Sequence, residues 1–162
     1  MSIDGILHWV DETAFADTVR ESLWLFPLLE TIHVLSLVLV VGSIARLDLR
    51  LAGLIERDKP IRVIQQQMLP WTWAAFAVAV VFGLLLFAGK PFVYLDMAFF
   101  DVKIFLIVLA GINMLVFELM TIRGIDAWDR AVLPPVNVRL AAGLSLAFWT
   151  SVVVCGRLIG FV

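Results

Sequence analysis

The feature that most constrains this chain is a set of four stretches, each at least twenty residues long, that carry almost no charge. They run from about Ser22 to Ala45, Leu69 to Ala88, Ala98 to Thr121 and Val138 to Ile159. A bilayer core about 30 Å thick is crossed by roughly 20 apolar residues of helix. No stretch shows the period-2 alternation of a barrel strand. The expected fold is therefore an all-α integral membrane protein, a four-transmembrane-helix bundle. A hydrophobic content of 62% with only 16% charged residues excludes an ordinary soluble domain, where roughly 45–50% and 25% are usual.

Ahead of these stretches, MSIDGILHWVDETAFADTVR alternates apolar and acidic residues at near-helical spacing. This reads as an amphipathic interfacial helix over residues 1–21, preceding a membrane bundle over 22–162. It lacks the basic start and cleavage pattern of a signal peptide. Pro27 marks the start of the first span or a kink within it.

Cationic residues orient the bundle. Arg46, Arg50, Arg57, Lys59 and Arg62 lie between the first two stretches, and Arg123, Arg130 and Arg139 between the last two. Only Arg20, Lys90, Lys103 and Arg157 lie on the opposite side. The positive-inside rule then puts both termini outside the cytoplasm, the periplasm of a bacterium. A net charge of −2 provides no basic footprint for nucleic acid. A single cysteine, Cys155, excludes an intrachain disulfide and any thiolate-rich metal site.

Ionisable groups inside a span are costly and by default mark a site, here Glu30, His33, Lys103, Glu118 and Arg157. Glu30 and His33 are three residues apart on one helix face. His33, about eleven residues into its span, is either a core imidazole bonded to a neighbouring helix or an axial ligand to haem iron. Haem b suits a bundle interior because it is flat and apolar and takes nitrogen ligands. Lys103 is either a snorkelling lysine or, as a neutral amine, a group facing His33 across the macrocycle. Arg157 is a candidate partner for a propionate or for Glu30. Trp149, in mid-span, either packs in the core or lines the cofactor. His8 is expected at a wet surface, with an iron-capping role as its alternative. Asn113 is expected to bond across helices, with Ser145 as a candidate partner. Gly143 and Ala147, Ser151 and Cys155, and Gly156 and Gly160 recur at spacing four, a face for packing within the chain or for a homodimer.

The segments RESLWLFPLLETIHVLSLVLVVGSIARLDLRLAGL, LPWTWAAFAVAVVFGLLLF, DVKIFLIVLAGINMLVFE and SLAFWTSVVVCGRLIGF, together spanning about Arg20 to Phe161, resemble a bacterial family of small four-helix inner-membrane proteins of unassigned function. More distantly, the histidine of the first span and the lysine opening the third are similar to those of the haem-binding, oxygen-independent membrane protoporphyrinogen oxidases. That resemblance implies haem b, with His33 and Lys103 at the matching positions. Where the closer family leads one to expect Phe-His at the end of the third span, this chain has Phe117-Glu118.

The reading is a haem b-binding membrane cytochrome, a homodimer exchanging electrons with membrane quinone, with His33 and Lys103 as metal ligands and Glu30, Arg157 and Trp149 around the cofactor. Two other classes compete with it. One is an ion-coupled transporter in which Glu30, His33 and Lys103 form a relay; the other is an assembly subunit whose intramembrane charges serve only pairing.

Overall fold

Helix starts are set by local capping. In the computed structural model, which describes residues 3–161, the polar N-terminal segment forms two helices, α1 (Ile3–Asp11) and α2 (Ala14–Glu21), rather than one. The break lies at Thr13, whose hydroxyl accepts from the Ala16 amide and so starts a new helix. Residues 1 and 2 of the expected segment lie outside the described residues. Ala16 and Val19 bury the apolar face of α2, and Gly89 leaves room for Val19, since a Cβ there would lie 2.7 Å from Val19 Cγ1.

The Ser22 hydroxyl accepts from the Leu25 amide at 3.1 Å and opens α3 (Leu25–Leu51). Pro27 sits in its first turn, where no intrahelical N–H bond is lost, so it marks a start. The helix does not end near Ala45 as expected but continues through the charged segment to Leu51. It does so because that segment still has a face to bury: Asp48, Arg50 and Leu51 are all buried. Arg50, with no exposed surface, donates to the carbonyls of Lys59, Arg57 and Ala131, tying the turn after α3 to the loop before the last helix. Gly53 makes that turn possible, with φ +74° and Leu133 packed where a side chain would stand.

The next helix, α4 (Ile61–Gly89), begins eight residues before the expected Leu69. Asp129 satisfies its first amides, its carbonyl accepting from Ile61 and its carboxylate from Arg62. Ile61 and Ile64 are buried there, Ile61 in a cluster with Leu51, Ile125, Trp128, Val138 and Ala142. A short helix, α5 (Pro91–Leu95), leads into α6 (Ala98–Val116). α6 runs on through one π-helical turn (Phe117–Thr121) into a 3-10 segment (Ile122–Ala127), and α7 (Val136–Ile159) follows. No strand occurs among the described residues.

Four helices are long and apolar enough to cross a membrane, Leu25–Leu51, Ile61–Gly89, Ala98–Leu119 and Val136–Ile159, as a multi-pass membrane protein requires. Their outward faces are apolar: Leu35, Leu39, Leu84, Phe105 and Leu140 are 60–63% exposed, a surface suited to lipid rather than water. α3 packs along α4, α6 along α7, and α3 joins the two pairs through α7, while α4 and α6 do not pack closely. A cleft therefore runs between α4 and α6. At the end of α4, Phe87, Tyr94 and Phe100 bridge it, with Phe87 and Phe100 stacked at 5.6 Å.

Candidate functional site

The polar groups inside the bundle fall at two levels. The first is built on His33, whose ring faces α4. Its Nδ1 lies 2.7 Å from the Ala79 carbonyl oxygen. A carbonyl can only accept, so Nδ1 carries the hydrogen and Nε2 of the neutral ring holds the free lone pair. This is the arrangement in which a histidine serves as a metal ligand, its second nitrogen fixed by a backbone carbonyl. The ring can approach α4 because position 83, one turn from Ala79, is glycine: a Cβ there would stand 2.9 Å from His33 Cε1.

Lys103, in the second turn of α6, turns toward α7. Its Nζ lies 3.6 Å from where a Cβ of Gly156 would be, beside the buried Cys155. His33 and Lys103 are each half-buried and each beside a glycine of a neighbouring helix, His33 against Gly83 of α4 and Lys103 against Gly156 of α7.

Glu30 and Arg157 do not join them. Glu30 is exposed, and its charge acts on Tyr94 in α5. Burial, and secondarily Glu30, raise the Tyr94 phenol above its ordinary value. Arg157 is exposed and stacks over the Phe161 ring at 4.7 Å; among the described residues no ion pair links it to Glu30. His8 is exposed against the Phe92 ring at 4.9 Å, away from the bundle interior. Arg20 holds the N-terminal helices together through Asp17 and Asp11, and the hydrogen bonds to those carboxylates raise its guanidinium above the ordinary value.

The second level lies about 22 Å further along α3, fifteen residues at 1.5 Å each, and centres on Asp48. Asp48 lies beyond Ala45, the expected end of the first span. Its side chain is only 6% exposed, the Ser145 hydroxyl of α7 donates toward its carboxylate, and Oδ2 has no partner. Asp48 lines a cavity of about 80 Å³ together with Ser43, Thr72, Asn113, Ser145 and Trp149. The Ser43 and Thr72 hydroxyls are 2.7 Å apart, and Asn113 donates to the Ala141 carbonyl at 3.0 Å rather than to Ser145. A wider apolar cavity of about 310 Å³ adjoins it in the cleft, walled by Phe76 and Trp73 of α4 and by Gly111 and Leu115 of α6. Trp149 faces both cavities and meets Phe76 edge-on at 6.4 Å, so it belongs to this level and not to His33. Glu118 also borders both. It sits in the π-helical turn, an interruption common at functional sites, and accepts from Gln65 at 3.2 Å.

The signal for Asp48 was present in the spacing. Positions 33, 36, 40, 44, 48 and 51 continue one helical face past Ala45, and the charged letters of RLDLRL concealed it. Among the described residues no group of three or more His, Cys, Asp and Glu side chains has the arrangement of a metal centre.

No curated protein and no solved structure matches this chain. A family model does match, over residues 9–162, nearly the whole chain including all four long helices. The protein belongs to the family of unknown function DUF6644.

Proposed function

We propose that the protein is a haem b-binding membrane cytochrome that exchanges electrons with membrane quinone. One observation carries this reading: the His33 imidazole has Nδ1–H fixed on a backbone carbonyl, which leaves Nε2 as the ring's acceptor. Those residues suit the group. His33 would hold the iron through Nε2, and Lys103 of α6 is the candidate second ligand. Gly83 and Gly156 are what let the two side chains pack so close to α4 and α7. Haem, when bound, supplies reversible one-electron transfer; this chain's residues fix the ligand tautomer and exclude water with an apolar surround. The cleft between α4 and α6 offers quinone a lateral approach from the bilayer.

In the same reading the protein lies in a bacterial inner membrane with both termini periplasmic, as its basic loops favour. Gly143 and Ala147, exposed on α7, are the contact for a second copy, while Cys155 and Gly156 of the same stripe face Lys103 within the chain.

The test is an absorption spectrum of the detergent-purified protein, oxidised and dithionite-reduced, after expression with ample haem. A Soret band is expected, lost in His33→Ala and shifted in Lys103→Ala. A colourless wild-type protein would overturn the reading. Ion-coupled transport stands as the second reading, favoured by the polar positions Ser36, Ser43 and Thr72 between the His33 and Asp48 levels. Proton flux in liposomes that is lost in His33→Ala would support it over the cytochrome.

A further inference from the structure

The Asp48 cavity plays no part in the cytochrome reading, yet it has the composition of a binding site. It holds a carboxylate that is nine-tenths buried and has one oxygen unpartnered. A second carboxylate, Glu118, borders the same space, and among the described residues no lysine or arginine lines either cavity. A buried carboxylate is strongly disfavoured unless a positive group or several donors reach it. Here the donor from the protein is the Ser145 hydroxyl. A cation with hydrogens to donate would complete the set around it. The adjoining cavity, about 310 Å³ in volume and walled by Trp73, Phe76, Leu115 and Trp149, fixes the rest of the ligand as apolar. Its aromatic faces attract a cation as well as an apolar ring. A volume of this size lies at the lower end of small-ligand pockets, about 300–1,000 Å³.

We propose that this cavity binds a lipophilic primary amine in its ammonium form. The ammonium sits between Asp48, Ser145 and Thr72, and the apolar body lies in the cleft between α4 and α6, through which it enters from the bilayer. The same absence of cations disfavours a phospholipid headgroup, whose phosphate would face two carboxylates without a counter-charge. The site does not depend on haem, because Asp48 and His33 stand about 22 Å apart along α3.

The experiment is equilibrium dialysis of radiolabelled 4-phenylbutylamine against the protein in phosphatidylcholine nanodiscs, with empty nanodiscs to subtract partition into lipid. Saturable binding at one site per chain is expected. Asp48→Asn, which keeps the volume and removes the charge, should weaken it at least tenfold, and the neutral isostere 4-phenylbutanol should compete at least tenfold less well. Gly111→Leu fills the α6 wall, where a Cβ meets nothing within 4 Å, and should abolish binding without touching Asp48. His33→Ala should bind as the wild type does, so loss of the haem reading leaves this result standing. The proposal falls if binding does not saturate, if Asp48→Asn or Gly111→Leu binds like the wild type, or if the alcohol competes equally. Displacement of the amine by phosphatidylethanolamine in the nanodisc would also overturn it, assigning the site to lipid.

Discussion

Gly83→Ala tests the geometry around His33 without assuming any cofactor. The added methyl would stand 2.9 Å from His33 Cε1, whereas carbon atoms in contact sit about 3.5–4.0 Å apart. Ring or helix must therefore move by about 0.6–1 Å, enough to stretch the 2.7 Å bond from Nδ1 to Ala79 beyond useful length. Overpacking of this kind costs about 1–3 kcal/mol and the lost hydrogen bond about 1 kcal/mol. Against these stands the roughly 0.5–1 kcal/mol by which alanine is favoured over glycine inside a helix. Net destabilisation of about 1–3 kcal/mol is expected. In a His33→Ala background the obstructing ring is gone and only the helical gain remains, so the same substitution should stabilise by up to about 1 kcal/mol. The coupling between the two positions is then about 2–4 kcal/mol with a change of sign, measurable by SDS titration in mixed micelles with circular dichroism as readout. If Gly83→Ala has the same effect in both backgrounds to within about 0.5 kcal/mol, the placement of the His33 ring is wrong.

Two further expectations concern the ends of the bundle. Arg50→Met removes the guanidinium from the carbonyls of Lys59, Arg57 and Ala131. At about 1 kcal/mol for each of the three carbonyls that lose this donor, it should cost about 3 kcal/mol and open residues 52–60 to protease; unchanged cleavage and unfolding would refute the clamp. Tyr94 is the chain's one tyrosine, so near-ultraviolet absorbance during alkaline titration reports it alone. Its midpoint should lie above the ordinary 10, mostly because it is buried, and Glu30→Gln should lower it only part of the way. Since the folded state holds this proton more tightly, the associated stability is complete below the unfolded value of about 10 and is lost as pH rises through the folded midpoint. A midpoint at or below 10 would contradict that environment.

Element type was legible because membrane spans are written in long apolar runs, and His33 and Lys103 stood out as isolated polar letters within them. The inner ends were not legible. A charged residue near a span end reads equally as loop, interface or buried clamp, and only the neighbouring chain decides between them. Arg50 counted as a cytoplasmic cation but is enclosed by the loops of residues 52–60 and 128–135, segments far apart in sequence. Asp48 became a site residue only when Ser145 and Trp149 of α7 closed over it. Glu30 illustrates the converse: its spacing from His33 suggested a shared site, but a 60° offset around the helix is enough to leave it exposed while His33 turns toward α4.

The division of the bundle into two packed pairs accounts for both sites. α3 packs on α4 and α6 on α7, and the pairs meet through α3 and α7, so whatever lies between α4 and α6 is lined by side chains from all four helices yet open to the bilayer on one side. At positions 83 and 156 glycines admit polar groups to the helix contacts, His33 between α3 and α4 and Lys103 between α6 and α7. Around Asp48 the polar groups are instead hydroxyls, an amide and carboxylates. The bundle thus has two chemically distinct polar levels, about 22 Å apart along α3.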